Sequence, residues 1–341
     1  MALALSMGDP AGIGPDIAIG AWLQRREADI AAFFVIGDPA VLRDRAALLD
    51  VELPLIEIEA AAAADAHFAA ALPVLPVRCA RPARPGQPNT DNASATIEAI
   101  RQAVRLTLTG DADGVVTAPI AKAVLYDAGF LFPGHTEFLA ALAAEHLRRT
   151  VRPVMLLVNS QLKVAPVTIH IPLKEVTGQL TTEAIVETGQ IIARELKARF
   201  GIAAPRLAVS GLNPHAGESG ALGDEDGEIV LPAVRQLRAL GVQAIGPLPA
   251  DTMFHPEARA SYDAAVCMYH DQALIPAKTL GFHDGVNATL GLPFIRTSPD
   301  HGTAFSLAGS GDARPDSLIA ALRLAGQMAA AQSGRRVAGD A

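Results

Sequence analysis

Ala264-Ala265-Val266-Cys267-Met268 runs directly into Tyr269-His270-Asp271-Gln272, which puts an imidazole and a carboxylate at the carboxyl end of a buried strand. Open α/β sheets keep their chemistry at that end of their strands. The arrangement recurs twice. His170 closes Val164-Ala165-Pro166-Val167-Thr168-Ile169, and His215 follows Leu207-Ala208-Val209-Ser210-Gly211-Leu212 within Asn213-Pro214-His215-Ala216-Gly217-Glu218. Imidazole nitrogen suits Zn²⁺ and its neighbours, and three protein ligands leave a coordination position open for a substrate oxygen. Three strand-end histidines therefore suggest one metal. Their wide spacing matches no compact zinc motif, and each one alone reads first as a hydrogen-bonded strand-end histidine.

Around this stretch, strand-like runs at 3–7, 33–36, 55–58, 114–117, 154–158, 164–169, 207–212, 264–268 and 286–290 alternate with helical patterns at 91–108, 137–147, 182–200, 225–240 and 315–331. That rhythm predicts an α/β fold. A chain of 341 residues implies one large or two packed α/β domains. Half the residues are hydrophobic but only 4% are aromatic, so the core is aliphatic. Thr136 beside Glu137, and Thr181 with Glu183, read as helix N-caps with acidic first turns. The Pro-rich run Arg81-Pro82-Ala83-Arg84-Pro85-Gly86-Gln87-Pro88 reads as a loop, 129–134 as a hinge between halves, and the Ala-rich 60–71 as a surface helix. The tail after Gln332 is expected to fray.

Net charge −8 argues against a nucleic-acid surface, which needs concentrated Lys and Arg. An anionic metabolite still fits if a few cations are focused on one site. Cys79 and Cys267 form no disulfide framework, which points to a reducing cytoplasm. The N-terminus lacks a basic signal region, and no apolar run approaches about 18 residues, so no membrane span is expected.

Four further groups bear chemistry. Gly8-Asp9-Pro10-Ala11-Gly12-Ile13-Gly14-Pro15 follows the first strand with Pro15 suited to a helix start, but it carries neither a dinucleotide fingerprint nor a Walker lysine. A structural turn explains it equally well. Pro133-Gly134-His135-Thr136-Glu137 brings an imidazole and a hydroxyl to a helix start, where free amides can meet an oxyanion. Asp251 and Asp271 are carboxylates suited to orienting imidazoles or taking protons, with helix capping the plainer reading for Asp251. Lys278, Asn287 and Arg296 stud an otherwise apolar tract, and an arginine between Ile295 and Thr297 needs an anionic partner. Three histidines with nearby aspartates equally suit a hydrolase that activates water.

Taken together, these blocks resemble the 4-hydroxythreonine-4-phosphate dehydrogenase family of vitamin B6 (pyridoxal 5'-phosphate) biosynthesis. The likeness runs from Gly8-Asp9-Pro10 through Pro133-Gly134-His135-Thr136-Glu137, Thr168-Ile169-His170, Asn213-Pro214-His215 and Pro249-Ala250-Asp251-Thr252 to Tyr269-His270-Asp271-Gln272, Gly285-Val286-Asn287 and the tract ending at Thr303. It implies a two-domain fold similar to isocitrate and isopropylmalate dehydrogenases, with an active-site cleft between domains. Residues 1–128 plus 300–341 would form the first, and 129–299 the second, which carries the metal ligands and the dimer interface. It also implies that His170, His215 and His270 bind a divalent metal, Zn²⁺ first and Co²⁺ or Mg²⁺ as alternatives, with His270 supplied by the neighbouring subunit of a homodimer. Substrate binding is carried onto His135, Thr136, Lys278, Asn287 and Arg296, and Asp251, Asp271 and Lys278 are candidates for proton transfer. The implied reaction is oxidation of 4-phosphooxy-L-threonine by NAD, or NADP, with decarboxylation to 3-amino-2-oxopropyl phosphate. A related threonate or erythronate 4-phosphate is the alternative substrate. The chain departs from the family at Asp16, where Glu is common, and at Ala121 before Lys122, where some members have His or Asn.

Overall fold

The computed structural model describes residues 1–334. It contains two compact units, one built from Met1–Pro153 and Leu292–Ala330 and the other centred on Val154–Gly291. The strands in chain order are β1 (Leu3–Ser6), β2 (Phe33–Gly37), β3 (Leu55–Glu57), β4 (Leu72–Pro76), β5 (Val115–Thr117), β6 (Val154–Val158), β7 (Lys163–Thr168), β8 (Arg206–Ser210), β9 (Gln243–Leu248), β10 (Ala264–Tyr269), β11 (Val286–Leu290) and β12 (Arg296–Pro299).

In the first unit the strand order is β3-β4-β2-β1-β5-β12, parallel throughout. A parallel sheet is covered on both faces, which is why β1 and β2 are buried at every position. The helix Ala93–Leu108 lays Ala99, Ile100, Ala103 and Val104 into a core shared with Phe138, Leu139 and Ala143 of the helix His135–Leu147. This unit is therefore larger than the expected 1–128 plus 300–341. The 135–147 helix joins it through that core, and β12 joins it by pairing with β5.

The second unit has the order β11-β6-β7-β10-β8-β9, with β11, β6 and β7 antiparallel in succession and β7, β10, β8 and β9 parallel. Its core gathers Val164, Ala208, Ala265 and Cys267 with Leu157 and Tyr262.

Each expected strand and helix exists within a few residues of its predicted bounds, and Thr181 caps its helix by accepting from the Ala184 amide at 3.1 Å. Several expectations are corrected. The helix over 135–147 begins one residue before Thr136, with Gly134 at the cap position and no side-chain cap, so Thr136 does not cap it. Asp251 sits inside the short turn Ala250–Thr252 rather than capping a helix. The 60–71 stretch is two short helical turns whose Ala61, Ala64 and Phe68 are buried, with the Phe68 ring edge-on to Phe33 at 5.1 Å. The expectation of a frayed tail falls largely on 335–341, outside the described residues.

The Gly8–Pro15 loop finds its polar partners within the first unit. Asp9 accepts from the Ala11 amide at 2.9 Å, while buried Asp16 pairs with buried Arg45 and accepts from the Gly309 amide at 2.7 Å. Arg45 also donates to the Gly12 and Pro10 carbonyls at 2.9 and 3.2 Å. Burial pushes the Asp16 carboxyl up and the Arg45 guanidinium down, and their mutual attraction offsets part of this. Removing one charge strands the other, so Asp16→Asn is expected to lower unfolding stability by about 3 kcal/mol. Urea denaturation measures it, and a loss below about 0.5 kcal/mol would show that the pair does not anchor this loop.

Candidate active site

His170, His270 and His215 follow the carboxyl ends of β7, β10 and β8. β7, β10 and β8 are neighbours, with Tyr269 opposite Thr168 and Val266 opposite Val209, so their carboxyl ends form one edge. Thr168 Oγ1 donates to the Met268 carbonyl at 2.8 Å and locks the first two ends together. His170 and His270 leave those ends with ring centroids 5.6 Å apart. Thr168, both histidines, Ile171, Tyr269 and Asp271 line a cavity of ≈ 240 Å³. His215 lies on the segment Pro214–Gly220 that follows β8. Among the described residues no three His, Cys, Asp or Glu side chains of a single chain are gathered for a metal ion.

The local chemistry nevertheless fits a divalent cation. His270 Nδ1 meets Asp271 Oδ1 at 2.7 Å, and His215 Nδ1 meets Glu218 Oε2 at 2.8 Å. A carboxylate on Nδ1 fixes the tautomer and orientation and leaves Nε2 as the nitrogen with a lone pair to offer. Gln272 ties the same edge together: its Oε1 accepts from Ser210 Oγ at 2.8 Å and from the Met268 amide at 2.7 Å, and its Nε2 donates to the Gly211 carbonyl at 2.8 Å. Lys278 lies in the helix His270–Leu280 with its ammonium 5.8 Å from the Phe282 ring, and Asn287 is half-buried on β11 opposite Leu157 of β6. Asp251 is exposed.

In the first unit, Arg296 opens β12 and is only 3% exposed, with its Nη2 donating to Thr117 Oγ1 at 2.8 Å. Burial pushes its guanidinium down to about 10, against the opposing pull of Glu137, so it is still a cation at neutral pH. His135 starts its helix beside this cation. Its Nε2 is buried without a hydrogen-bond partner. Burial, then the charges of Arg296 and Lys122, hold the His135 pKa well below its ordinary 6.5. Thr117, Lys122, His135, Ser298 and His301 line a cavity of ≈ 200 Å³. Thr136 occupies the second position of the helix, half-buried.

Lys122, Ser298 and His301 were not singled out from sequence. No sequence pattern marks a lysine that meets a helix start from another segment.

His135 has a consequence for stability against pH. Because its folded-state pKa is depressed, the unfolded chain takes up the proton first as pH falls, so its contribution is whole above about 6.5 and is lost below it. Between about pH 8 and pH 5, the urea midpoint of His135→Gln should therefore fall less steeply than that of the parent. Parallel curves would contradict a neutral buried imidazole.

The chain is similar to known proteins over nearly its whole length. A curated 4-hydroxythreonine-4-phosphate dehydrogenase of Bradyrhizobium diazoefficiens is 58% identical over 339 residues, covering 97% of this chain and 98% of that protein. The crystal structure of a 4-hydroxythreonine-4-phosphate dehydrogenase from Klebsiella pneumoniae superposes with a TM-score of 0.83 at 39% identity, over 96% of this chain and 99% of that one. A terephthalate 1,2-cis-dihydrodioldehydrogenase from Burkholderia xenovorans matches at TM-score 0.65 and 28% identity over 99% of both chains. The protein is a dehydrogenase with the isocitrate/isopropylmalate dehydrogenase-like α/β fold. A family profile described as pyridoxal phosphate biosynthetic protein PdxA matches residues 29–325, and the chain belongs to that family.

Proposed function

We propose that this chain is a 4-hydroxythreonine-4-phosphate dehydrogenase that works as a cytoplasmic homodimer with NAD and a divalent cation, Zn²⁺ first. It oxidises the C3 hydroxyl of 4-phosphooxy-L-threonine to give 2-amino-3-oxo-4-phosphooxybutanoate. That β-keto acid then loses CO₂ to give 3-amino-2-oxopropyl phosphate. The hydride passes to NAD and the hydroxyl proton to a base, so each turnover releases one reduced nicotinamide. The observation that carries this reading is the 58% identity spanning nearly the whole of both chains with a protein of that name.

The side chains support it. His170, His215 and the partner subunit's His270 would hold the cation. When bound, it supplies Lewis acidity that makes the substrate hydroxyl easier to deprotonate. Glu218 and Asp271 fix the rings of His215 and His270 from behind. Arg296 offers a planar fork to a phosphate or carboxylate, and Lys278 a compact charge. His135 is neutral at pH 7, so it can position a ligand oxygen without adding a second charge beside Arg296. Thr136 and Asn287 add neutral hydrogen-bonding groups. Of the proton acceptors Asp251, Asp271 and Lys278, Asp271 is already engaged with His270.

Absorbance of reduced nicotinamide tests the reading. With metal present, NAD and 4-phosphooxy-L-threonine should give a rising signal, with kcat/KM at least about 10²-fold above that for threonate 4-phosphate. A faster threonate reaction would overturn the substrate assignment. Absence of signal with both compounds, and with NADP in place of NAD, would overturn the redox reading.

A further inference from the structure

We propose that Asp226 is the positioning residue that presents His215 to the cation, acting through the backbone that follows β8. The inference rests on the reading of His215 as a metal ligand.

Residues His215, Ala216, Gly217, Glu218 and Ser219 have φ of +52°, +52°, +79°, +45° and +60°, five consecutive left-handed residues of which only one is glycine. Side chains on L-residues disfavour this conformation, so such a run persists only where its surroundings over-determine it. Asp226 anchors the backbone that leads into the run. It is 2% exposed, and its carboxylate accepts from the Leu212 amide at 2.7 Å and from the Asn213 amide at 3.0 Å.

The fit around the carboxylate is tight. A Cβ added to Gly211 would lie 2.7 Å from Asp226 Oδ1 and from the Ala216 Cα, and one added to Gly217 would lie 3.2 Å from Asp226 Cβ. Both glycines leave room for the loop to fold down on the acid. A second clamp joins Asn213 Nδ2 to Glu225 Oε2 at 2.8 Å. On the far side, the Gly211 carbonyl is held by Gln272. The loop is thus pinned at residues 211–213, and His215 projects from it with Nδ1 on Glu218 and its ring 65% exposed. Asp226 also opens a π-helical turn, Asp226–Val230, a form that concentrates at functional sites.

A carboxylate can accept both amides, whereas asparagine turns a donor toward one of them. Asp226→Asn should therefore release the loop while keeping the volume of the side chain. The test is calorimetric titration of the chelator-stripped full-length protein with Co²⁺, alongside its thermal midpoint. Asp226→Asn is expected to lower the midpoint, because a buried amide loses its acceptor, and to bind Co²⁺ about 10–100-fold more weakly at a temperature where the variant is fully folded, a loss that destabilisation alone would not give. Wild-type affinity in a folded Asp226→Asn protein, while His215→Ala loses Co²⁺, would overturn the positioning role alone. Wild-type affinity in His215→Ala would overturn the metal reading and the inference with it. Should Asp226→Asn fail to fold, Glu225→Ala, which removes the acceptor of Asn213 Nδ2, decides: weaker Co²⁺ binding in the folded protein supports the pinned loop, and unchanged binding refutes it.

Discussion

A His215→Ala protein is expected to lose about 10³-fold in kcat, roughly 4 kcal/mol of barrier, together with tight binding of the divalent cation. The ring is 65% exposed and packs into no core, so its removal leaves no cavity and the thermal midpoint should stay near that of the parent. His255 provides the control. It too carries a carboxylate on Nδ1, Glu257 at 2.8 Å, and is 53% exposed, yet it stands outside the strand-end edge. His255→Ala should leave turnover unchanged. Glu218→Ala, which removes the group behind the His215 ring, should cost about 10–100-fold in metal affinity. Metal content by elemental analysis and turnover in chelator-treated buffer measure all three. Full turnover of His215→Ala under those conditions would remove His215 from the metal site.

The second large effect concerns Arg296. Arg296→Lys is expected to lower kcat/KM by about 10²–10³-fold, mainly through KM, because an ammonium supplies a point charge where the guanidinium supplies a fork. The residue is 3% exposed and hydrogen-bonds Thr117, which fixes the orientation of its fork. Arg296→Met should show a loss at least as large. It also removes one of the two charges that depress His135, so the His135 titration followed by NMR should move upward, modestly, since burial is the larger cause. A wild-type KM in Arg296→Lys would mean that the arginine meets no substrate anion.

The sequence made the centre of the fold legible because its strands are buried on both faces and end abruptly in polar residues. β10 shows this best, with five buried apolar positions before Tyr269 and His270. The three strands that went unseen lack that contrast. β4 reads Leu-Pro-Val-Leu-Pro, β9 contains Gly246-Pro247, and β12 is Arg-Thr-Ser-Pro, so pairing with a neighbour makes them strands where local preference does not.

The candidate site was legible to the extent that single residues announce themselves. An arginine inside an apolar tract and histidines at strand ends did so. The left-handed run at 215–219 did not, because four of its five residues disfavour that backbone and it is held by groups around it. Asp226 was invisible for a related reason. In Asp224-Glu225-Asp226 it looks like one more charge at the start of a surface helix, and only the fold turns it inward under Leu212 and Asn213. Thr136 misled in the opposite sense, since a threonine before a glutamate resembles a cap while Gly134 takes that position.

Within one chain His270 lies beside His170, whereas the proposed site takes His270 from the partner subunit. Mixing inactive His215→Ala and His270→Ala proteins under conditions that exchange subunits separates the two arrangements. If each site draws His270 from across a two-fold axis, every mixed dimer holds one intact site. Turnover should then recover to roughly a quarter of the wild-type value at equal mixing. If the mixture stays as inactive as either variant alone while subunit exchange is verified, the three imidazoles do not form a site shared between chains, and the account of a cation gripped by both subunits is wrong.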